Sequence, residues 1–228
     1  MPLVEKHSHG ALCWADLAST DIPASGAFYA AVIGWEVRPA RPPAADGYHI
    51  FLTDNEDVAA LWGPYLPGSP IGWTPYFAVD DVDAAAEAAL GLGGIHLRPP
   101  HDVIGLGRTA TIADPRGAVF AIWQPYTFAG SALVDEAGTL HSAVLVTPDR
   151  AQAVDFYTAV LGQAPALDGR TTGSEAGYWH LHLAVSDHGK AAEVARHLGG
   201  TVVDAGRRST ELRDPAGNPF SVTEIAVD

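Results

Sequence analysis

The chain is poor in cysteine, poor in positive charge and free of long apolar runs. Cys13 is the only cysteine among 228 residues, which excludes an intrachain disulfide and a cysteine-built zinc cage. Lys and Arg number 13 against 27 Asp and Glu, a formal charge of −14. Duplex-binding proteins carry a basic face, so this balance argues against nucleic acid and favours a cationic small molecule over an anionic one. No stretch approaches the roughly 18 apolar residues of a membrane span, and MPLVEKHSHG lacks the apolar core of a secretory signal. The expected location is therefore the cytoplasm, with no membrane partner. A Walker A loop, a G-x-G-x-x-G at a strand-to-helix junction and a G-x-S-x-G elbow are all missing. GLGG at Gly91 ends a helical pattern and reads as a helix stop, not a phosphate cradle.

What is present is a repeat. FYAAVIGWE begins at Phe28 and FYTAVLGQA at Phe156, 128 positions later. Each follows an apolar run (ALCWADLAST, TLHSAVLVTP) and an Asp seven residues ahead of the Phe, Asp21 or Asp149, and each stops at a glycine, Gly34 or Gly162. That punctuation predicts a strand followed by a capped helix, with Phe28 and Phe156 on the buried face. A second pair, YFAVDDVDAAAEAALGLGG and LHLAVSDHGKAAEVARHLGG, predicts strand, helix and stop, with Asp81 and Asp187 at equivalent positions 106 apart. A third pair, around Asp114-Pro115-Arg116-Gly117 and Asp214-Pro215-Ala216-Gly217, predicts a hairpin closed by a type I turn. These lie 100 apart, so the second copy has lost 22 residues between its first helix and second unit, and six more before its last hairpin. The expected organisation is a fuller first domain over 1–126, a linker over 127–140 and a shortened second domain over 141–228.

Paired strand-helix-strands units, the Asp…Phe-Tyr…Gly helix and the Asp-Pro-x-Gly hairpin resemble the vicinal oxygen chelate superfamily. That superfamily includes glyoxalases, extradiol dioxygenases and bleomycin-resistance proteins. The resemblance covers nearly the whole chain and is nearest to a tandem-domain, glyoxalase-like actinobacterial subgroup. It implies an α+β fold of four βαβββ units, with cupped mixed sheets and helices outside. It also implies metal ligands at three places in each domain: Trp14, Thr74 and Ala121 in the first copy, Ser142, His180 and Ser221 in the second. Only His180 is a competent ligand, so no metal and no cofactor is expected. His182 shares its strand face, whereas His141 is one residue out of phase.

Strand alternation instead assembles Trp14, Asp16, Thr74, Tyr76, Ala121 and Trp123 on one face of the first copy. Aromatics with a carboxylate suit a planar or cationic ligand. Asp16 is the candidate catalytic base. Trp14, Tyr76, Trp123, His49, Trp62, His101, Arg108, His180 and His182 are the candidate ligand contacts, with Trp35, Tyr65 and Trp73 as further rim aromatics. Arg108 recurs as Arg208 and reads equally as a structural ion-pair partner, including one for Asp16.

Two functions follow as expectations. One is a metal-independent binder sequestering an aromatic, polycyclic or cationic natural product, as resistance proteins do. The other is a metal-free tailoring enzyme, a lyase, isomerase or hydroxylation-associated catalyst acting on a polyketide-like molecule. A metal-dependent dioxygenase or glyoxalase is disfavoured by the missing ligands. With two domains already fused, a functional monomer or loose dimer is expected.

Overall fold

A computed structural model of the chain describes residues 3–40, 47–63, 71–103, 105–169 and 176–225. The first copy forms an eight-stranded sheet in the order β2-β3-β4-β1-β5-β8-β7-β6. Its strands are β1 (Leu12–Ala18), β2 (Glu36–Pro39), β3 (His49–Thr53), β4 (Glu56–Trp62), β5 (Gly72–Ala78), β6 (Ile95–Val103), β7 (Gly107–Ala113) and β8 (Val119–Pro125). Helix α1 (Ile22–Ile33) follows β1, and α2 (Val82–Gly91) follows β5. The two units meet where β1 runs antiparallel to β5. Each of these central strands is parallel to the last strand of its own unit, β4 or β8. This is a mixed α+β sheet with its helices on one face.

The second copy is a five-stranded sheet, β11-β12-β13-β10-β9, built from β9 (Leu140–Val146), β10 (Tyr178–Val185), β11 (Thr201–Ala205), β12 (Ser209–Arg213) and β13 (Pro219–Glu224). Helices α3 (Arg150–Leu161) and α4 (His188–His197) complete it. Among the described residues, its first unit keeps only β9, α3 and an isolated bridge between Leu145 and Leu167. The 22-residue deletion falls where the first copy hangs three strands on β1, and among the described residues the second copy has no counterpart to them beyond that bridge.

The helix punctuation is local chemistry. Asp21, Asp81, Asp149 and Asp187 each cap a helix by accepting from the backbone N–H three residues on. Gly34 and Gly162 close α1 and α3 in the left-handed conformation, at φ 90° and 72°.

The duplicated Phe-Tyr pairs explain why the repeat exists. Each pair packs into the opposite copy. Tyr29 on α1 is fully buried and donates to Asp214 Oδ2 at 3.1 Å, in the β12–β13 turn. Tyr157 on α3, equally buried, donates to Asp114 Oδ2 at 3.0 Å, in the β7–β8 turn. In both turns the other carboxylate oxygen accepts two backbone N–H groups of the same turn, at 2.8 to 3.0 Å. Each tyrosine oxygen also accepts an indole N–H, from Trp73 at 2.9 Å or Trp179 at 3.1 Å. The phenylalanines follow suit: Phe28 meets Phe220 at 6.2 Å and Phe156 meets Phe120 at 6.1 Å. Gly94 and Gly200 lie where a side chain would press on these rings, a Cβ at either coming within 3.1 Å of Phe156 or Phe28. Arg116 adds an exposed tie, donating to Asp149 at 2.8 Å and Gln152 at 2.9 Å. One apolar core therefore runs through both copies. Burial, then the facing aspartate, push both tyrosine hydroxyls well above the usual phenol range, so they remain donors.

Two of the rim aromatics belong to this core. Trp73 is committed to Tyr29, and buried Trp35 donates to the Gly138 carbonyl at 2.6 Å. Their positions beside Pro/Gly-rich loops concealed indoles that alternation turns toward the helices. Tyr65 lies outside the described residues.

The reciprocal pairs give a stability test. Tyr29→Phe and Tyr157→Phe should each cost about 1.5–3 kcal/mol, the range for a buried hydrogen bond to a charged group. For a chain of this length that is a fall in Tm of roughly 3–10 °C. Thermal denaturation showing both variants unchanged would exclude the pairs as the fastening between copies.

Candidate functional site

The face of the first sheet away from the helices carries its own aromatic cluster. Trp14, Trp123, Ile50, Leu52 and Ala60 are buried there, with Tyr48, Tyr76 and Phe128 packed against them. Asp16 sits in the middle and is 5% exposed. Its Oδ1 accepts from Trp14 Nε1 at 2.9 Å and from the Tyr48 hydroxyl at 2.8 Å; its Oδ2 accepts from the Tyr76 hydroxyl at 2.7 Å. Register explains the convergence. Trp14 precedes Asp16 by one pleat on β1, Tyr76 stands opposite Trp14 on β5, and Tyr48 sits at the mouth of β3. Burial raises the Asp16 carboxyl above the usual carboxylate range, and the three neutral donors, led by Tyr76, only partly offset that.

The alternative in which Asp16 pairs with Arg108 does not occur: Asp16 takes its donors from Trp14, Tyr48 and Tyr76. Arg108 lies opposite Gln124 and Asp102, on the helix side of the sheet. It grips the Asp83 carboxylate with two bonds of 2.8 Å and Asp102 with one of 3.0 Å, tying edge strand to α2. Its repeat, Arg208, donates to the Glu224 carbonyl at 3.0 Å. Both arginines hold structure, and Arg108 is placed away from the cup face.

His49 is likewise turned away. It shares strand phase with Phe51 in the helix-side core, and lines a surface hollow of about 430 Å³ with Ile22, Gly26 and Val37. The residue that alternation sends to the cup is its neighbour, Tyr48. Trp62 follows Ala60, which pairs with Asp16, and so shares the cup phase. His101 reaches the same face at the rim: it pairs with Thr109, which pairs with Trp123. Partial burial holds its imidazole below the usual histidine range.

Phe128 comes from a segment expected to be only a linker. Its ring stands edge-on to Trp14 at 5.0 Å and to Trp123 at 6.1 Å, and its carbonyl accepts from Trp123 Nε1 at 2.8 Å. Gly107 provides the other support for Trp123. A Cβ there would collide with the indole Cζ2 and lie 2.7 Å from the Gln124 carbonyl, so only glycine lets the ring lie flat across β7.

The positions marked for metal do gather on each cup face. Trp14 stands opposite Tyr76, one pleat from Thr74, and Tyr76 stands opposite Ala121. In the second copy His182 stands opposite both Ser142 and Ser221. The residues themselves do not fit a divalent ion. His180, 1% exposed, pairs with Ser221 Oγ at 2.8 Å, and His182 pairs with Thr223 Oγ1 at 3.0 Å. Their rings are 5.3 Å apart. Among the described residues no group of three or more His, Cys, Asp or Glu is arranged to hold a metal ion.

A family model described as a glyoxalase-like domain matches residues 14–123 and again 142–223. The chain belongs to the glyoxalase-like domain family. The two matches start and stop within the two sheets, so both copies carry the family pattern despite the second one's deletion. This glyoxalase-like chain is 36% identical, over an alignment 257 positions long, to the anthracycline biosynthesis protein DauV of Streptomyces sp. (strain C5), covering 95% of this chain and 94% of that one. Among solved structures it resembles the Mn(II)-bound glyoxalase from Novosphingobium aromaticivorans (17% identity, TM-score 0.62, 97% of this chain and 83% of that one). It also resembles the homoprotocatechuate 2,3-dioxygenase of Brevibacterium fuscum (17% identity, TM-score 0.64, 96% and 82%). These likenesses establish the vicinal oxygen chelate fold. Among the described residues no helix is long and apolar enough to cross a membrane.

The raised Asp16 carboxyl has a signed consequence. In the folded state its charged form is disfavoured, so its contribution to stability is greatest below the ordinary carboxylate pKa of 3.8 and is lost as pH rises through the raised value. Asp83, Asp102 and Asp149, held low by their arginines, act in the opposite sense. Comparing wild type with Asp16→Asn isolates the first effect. The variant should gain stability relative to wild type as pH is raised from 4 to 8 in urea titrations. A difference independent of pH would show that Asp16 is not buried as a charge.

Proposed function

We propose that the first cup is a metal-independent small-molecule site that takes a planar, polycyclic aromatic ligand. The observation that carries this reading is the buried carboxylate of Asp16 encircled by Trp14, Tyr48 and Tyr76 on a wall of aromatic side chains. Flat rings offer large stacking area at small entropic cost, and a lone carboxylate fixes polarity within it. The relationship to a protein of anthracycline biosynthesis supports a polycyclic ligand of natural-product type. Sequestration of such a molecule needs nothing beyond these contacts.

A second reading is favoured by one observation, the raised Asp16 carboxyl. A carboxylate base that burial holds above the usual carboxylate range is suited to moving a proton on a bound polyketide-like substrate, with Tyr76 on Oδ2 as the adjoining hydroxyl. In this tailoring role the chain's residues bind and orient the ring system and hold one proton at Asp16 Oδ2. His101 and Trp62 contribute at the rim in either reading. His180 and His182 line the second cup, where a polar ligand contact is proposed only through their hydroxyl-bonded edges. A chain that works as a monomer or loose dimer suits both readings, since the two copies already brace one another.

Fluorescence titration with an anthracycline tests the first reading. Saturable quenching of tryptophan emission is expected, and Trp14→Phe should weaken binding by about tenfold, the effect of roughly 1.4 kcal/mol. Absence of quenching at solubility-limited ligand would count against it. The second reading is tested by Asp16→Asn: for a catalytic base, turnover of the bound compound falls by about two to four orders of magnitude while binding survives. Recovery of the compound unchanged from wild-type protein would leave sequestration alone.

A further inference from the structure

We infer that a second hollow, about 370 Å³ in volume and separate from the cup, binds the ammonium head of a small primary amine. It lies where the segment before β1 crosses the ends of β5 and β8, and Glu5, His7, Val79, Asp80, Tyr126 and Thr127 are among its walls. Phe128 turns its ring to Trp14 and Trp123 in the cup, whereas Thr127 and Ala129 on either side of it line the hollow. The crossing segment is clamped at both ends. The Val4 N–H donates to the Ala132 carbonyl at 2.9 Å, and the Gly10 N–H to the Ala78 carbonyl at 2.7 Å. Gly10 stands at φ 78°, where a Cβ would collide with the Leu161 carbonyl, so the turn into β1 requires glycine.

His7 decides what the hollow can take. It is 8% exposed, and its Nε2 lies 2.8 Å from the Ser131 carbonyl. A carbonyl only accepts, so the ring proton sits on Nε2, and in the neutral imidazole Nδ1 is left with a lone pair. Among the described residues no group donates to that nitrogen. A buried acceptor of this kind calls for a donor from outside the chain. His9 is not equivalent, because its Nδ1 accepts the Asp80 backbone N–H at 3.2 Å.

Charge selects among the possible donors. Glu5 lines the same hollow and has no ion-pair partner among the described residues. Lys6 leans toward Asp80 at 3.7 Å, so Glu5 and Asp80 together leave one negative charge in excess. The formal charge of −14 on the whole chain has the same sign. A primary ammonium carries three N–H donors and no acceptor, and can therefore serve His7 Nδ1 and the Glu5 carboxylate at once. Its alkyl chain has Ala78, Val79 and the Tyr126 ring to lie against.

The probes are butylammonium, butyltrimethylammonium, which keeps the charge and has no N–H, and butanol, which keeps a donor without charge. Each is titrated into the full chain in phosphate buffer near pH 8, above the ordinary imidazole range. Binding is read from the nitrogen-15 resonances of the His7 ring, assigned by their loss in His7→Phe. Butylammonium should bind about tenfold more tightly than either control and move Nδ1 to smaller shift, as a lone pair does on accepting a hydrogen bond. Glu5→Gln, an exposed and isosteric change, should weaken butylammonium by about twofold to fivefold while leaving butanol unaffected. A lysine side chain presents the same group. Tighter binding of N-acetyl-lysine methylamide than of butylammonium would support the site and assign it to a protein's lysine. The inference is overturned if Nδ1 does not respond to butylammonium, if butyltrimethylammonium binds equally well, or if the unliganded His7 ring carries protons on both nitrogens.

Discussion

The structure depends on a reciprocal hydrogen bond. Tyr29 of the first copy reaches the turn aspartate of the second, Asp214, and Tyr157 of the second reaches that of the first, Asp114. Each aspartate holds its own turn with one oxygen and the foreign helix with the other. The geometry works only if both copies have the same helix, strand and hairpin spacing. That is a physical reason for a chain to keep two copies of FY…G and Asp-Pro-x-Gly even after one copy has lost three strands. What the second copy retains is what the first needs for its brace: α3, β10, α4 and the β12–β13 turn.

This fastening occupies only one face of the first sheet. Because the helices and the opposite copy occupy one face of the eight-stranded sheet, the other face is left to Trp14, Asp16, Tyr48, Tyr76, Trp123 and Phe128. A bare carboxylate would not survive burial there. It is tolerated because three neutral donors surround it. The second cup has gone another way, with His180 and His182 bonded to Ser221 and Thr223 and the Tyr178 ring 6.4 Å from that of His180. The two copies share a fold and differ in the side chains that this face carries.

Where sequence reasoning erred, phase and sequence distance were the causes. His49 takes the helix-side phase and Tyr48 the opposite one, because the start of β3 cannot be placed to a single residue from composition and a one-residue shift turns a side chain to the other face. Arg108 looked like a cup residue until its partners, Asp83 on α2 and Asp102 on β6, set it on the helix side. Trp35 and Trp73 look like rim aromatics beside their loops and are core donors to Gly138 and Tyr29. Phe128 sits in an irregular segment whose sequence carries no periodicity to betray an inward ring. One signal was available: the Trp before Thr74 and the Trp before His180 recur at the same offset as Asp81 and Asp187, which marks both indoles as parts of the repeated scaffold.

The amino-acid sequence by itself determined the secondary elements, the duplication and the α+β class. Each of these is written in local spacing, capping residues or the side chain present at a repeated position. Asp16, Trp14, Tyr76 and Trp123 were also legible, because strict alternation along β1, β5 and β8 is a local property. Only the tertiary structure decided which copy each Phe-Tyr pair would pack against, how the Asp16 carboxylate would be satisfied, and that Phe128 would close the aromatic wall. Those outcomes depend in large part on contacts between distant residues, such as Tyr48 with Asp16, 32 positions apart, and Tyr29 with Asp214, 185 apart, whose geometry emerges when the sheets and helices are packed and not before.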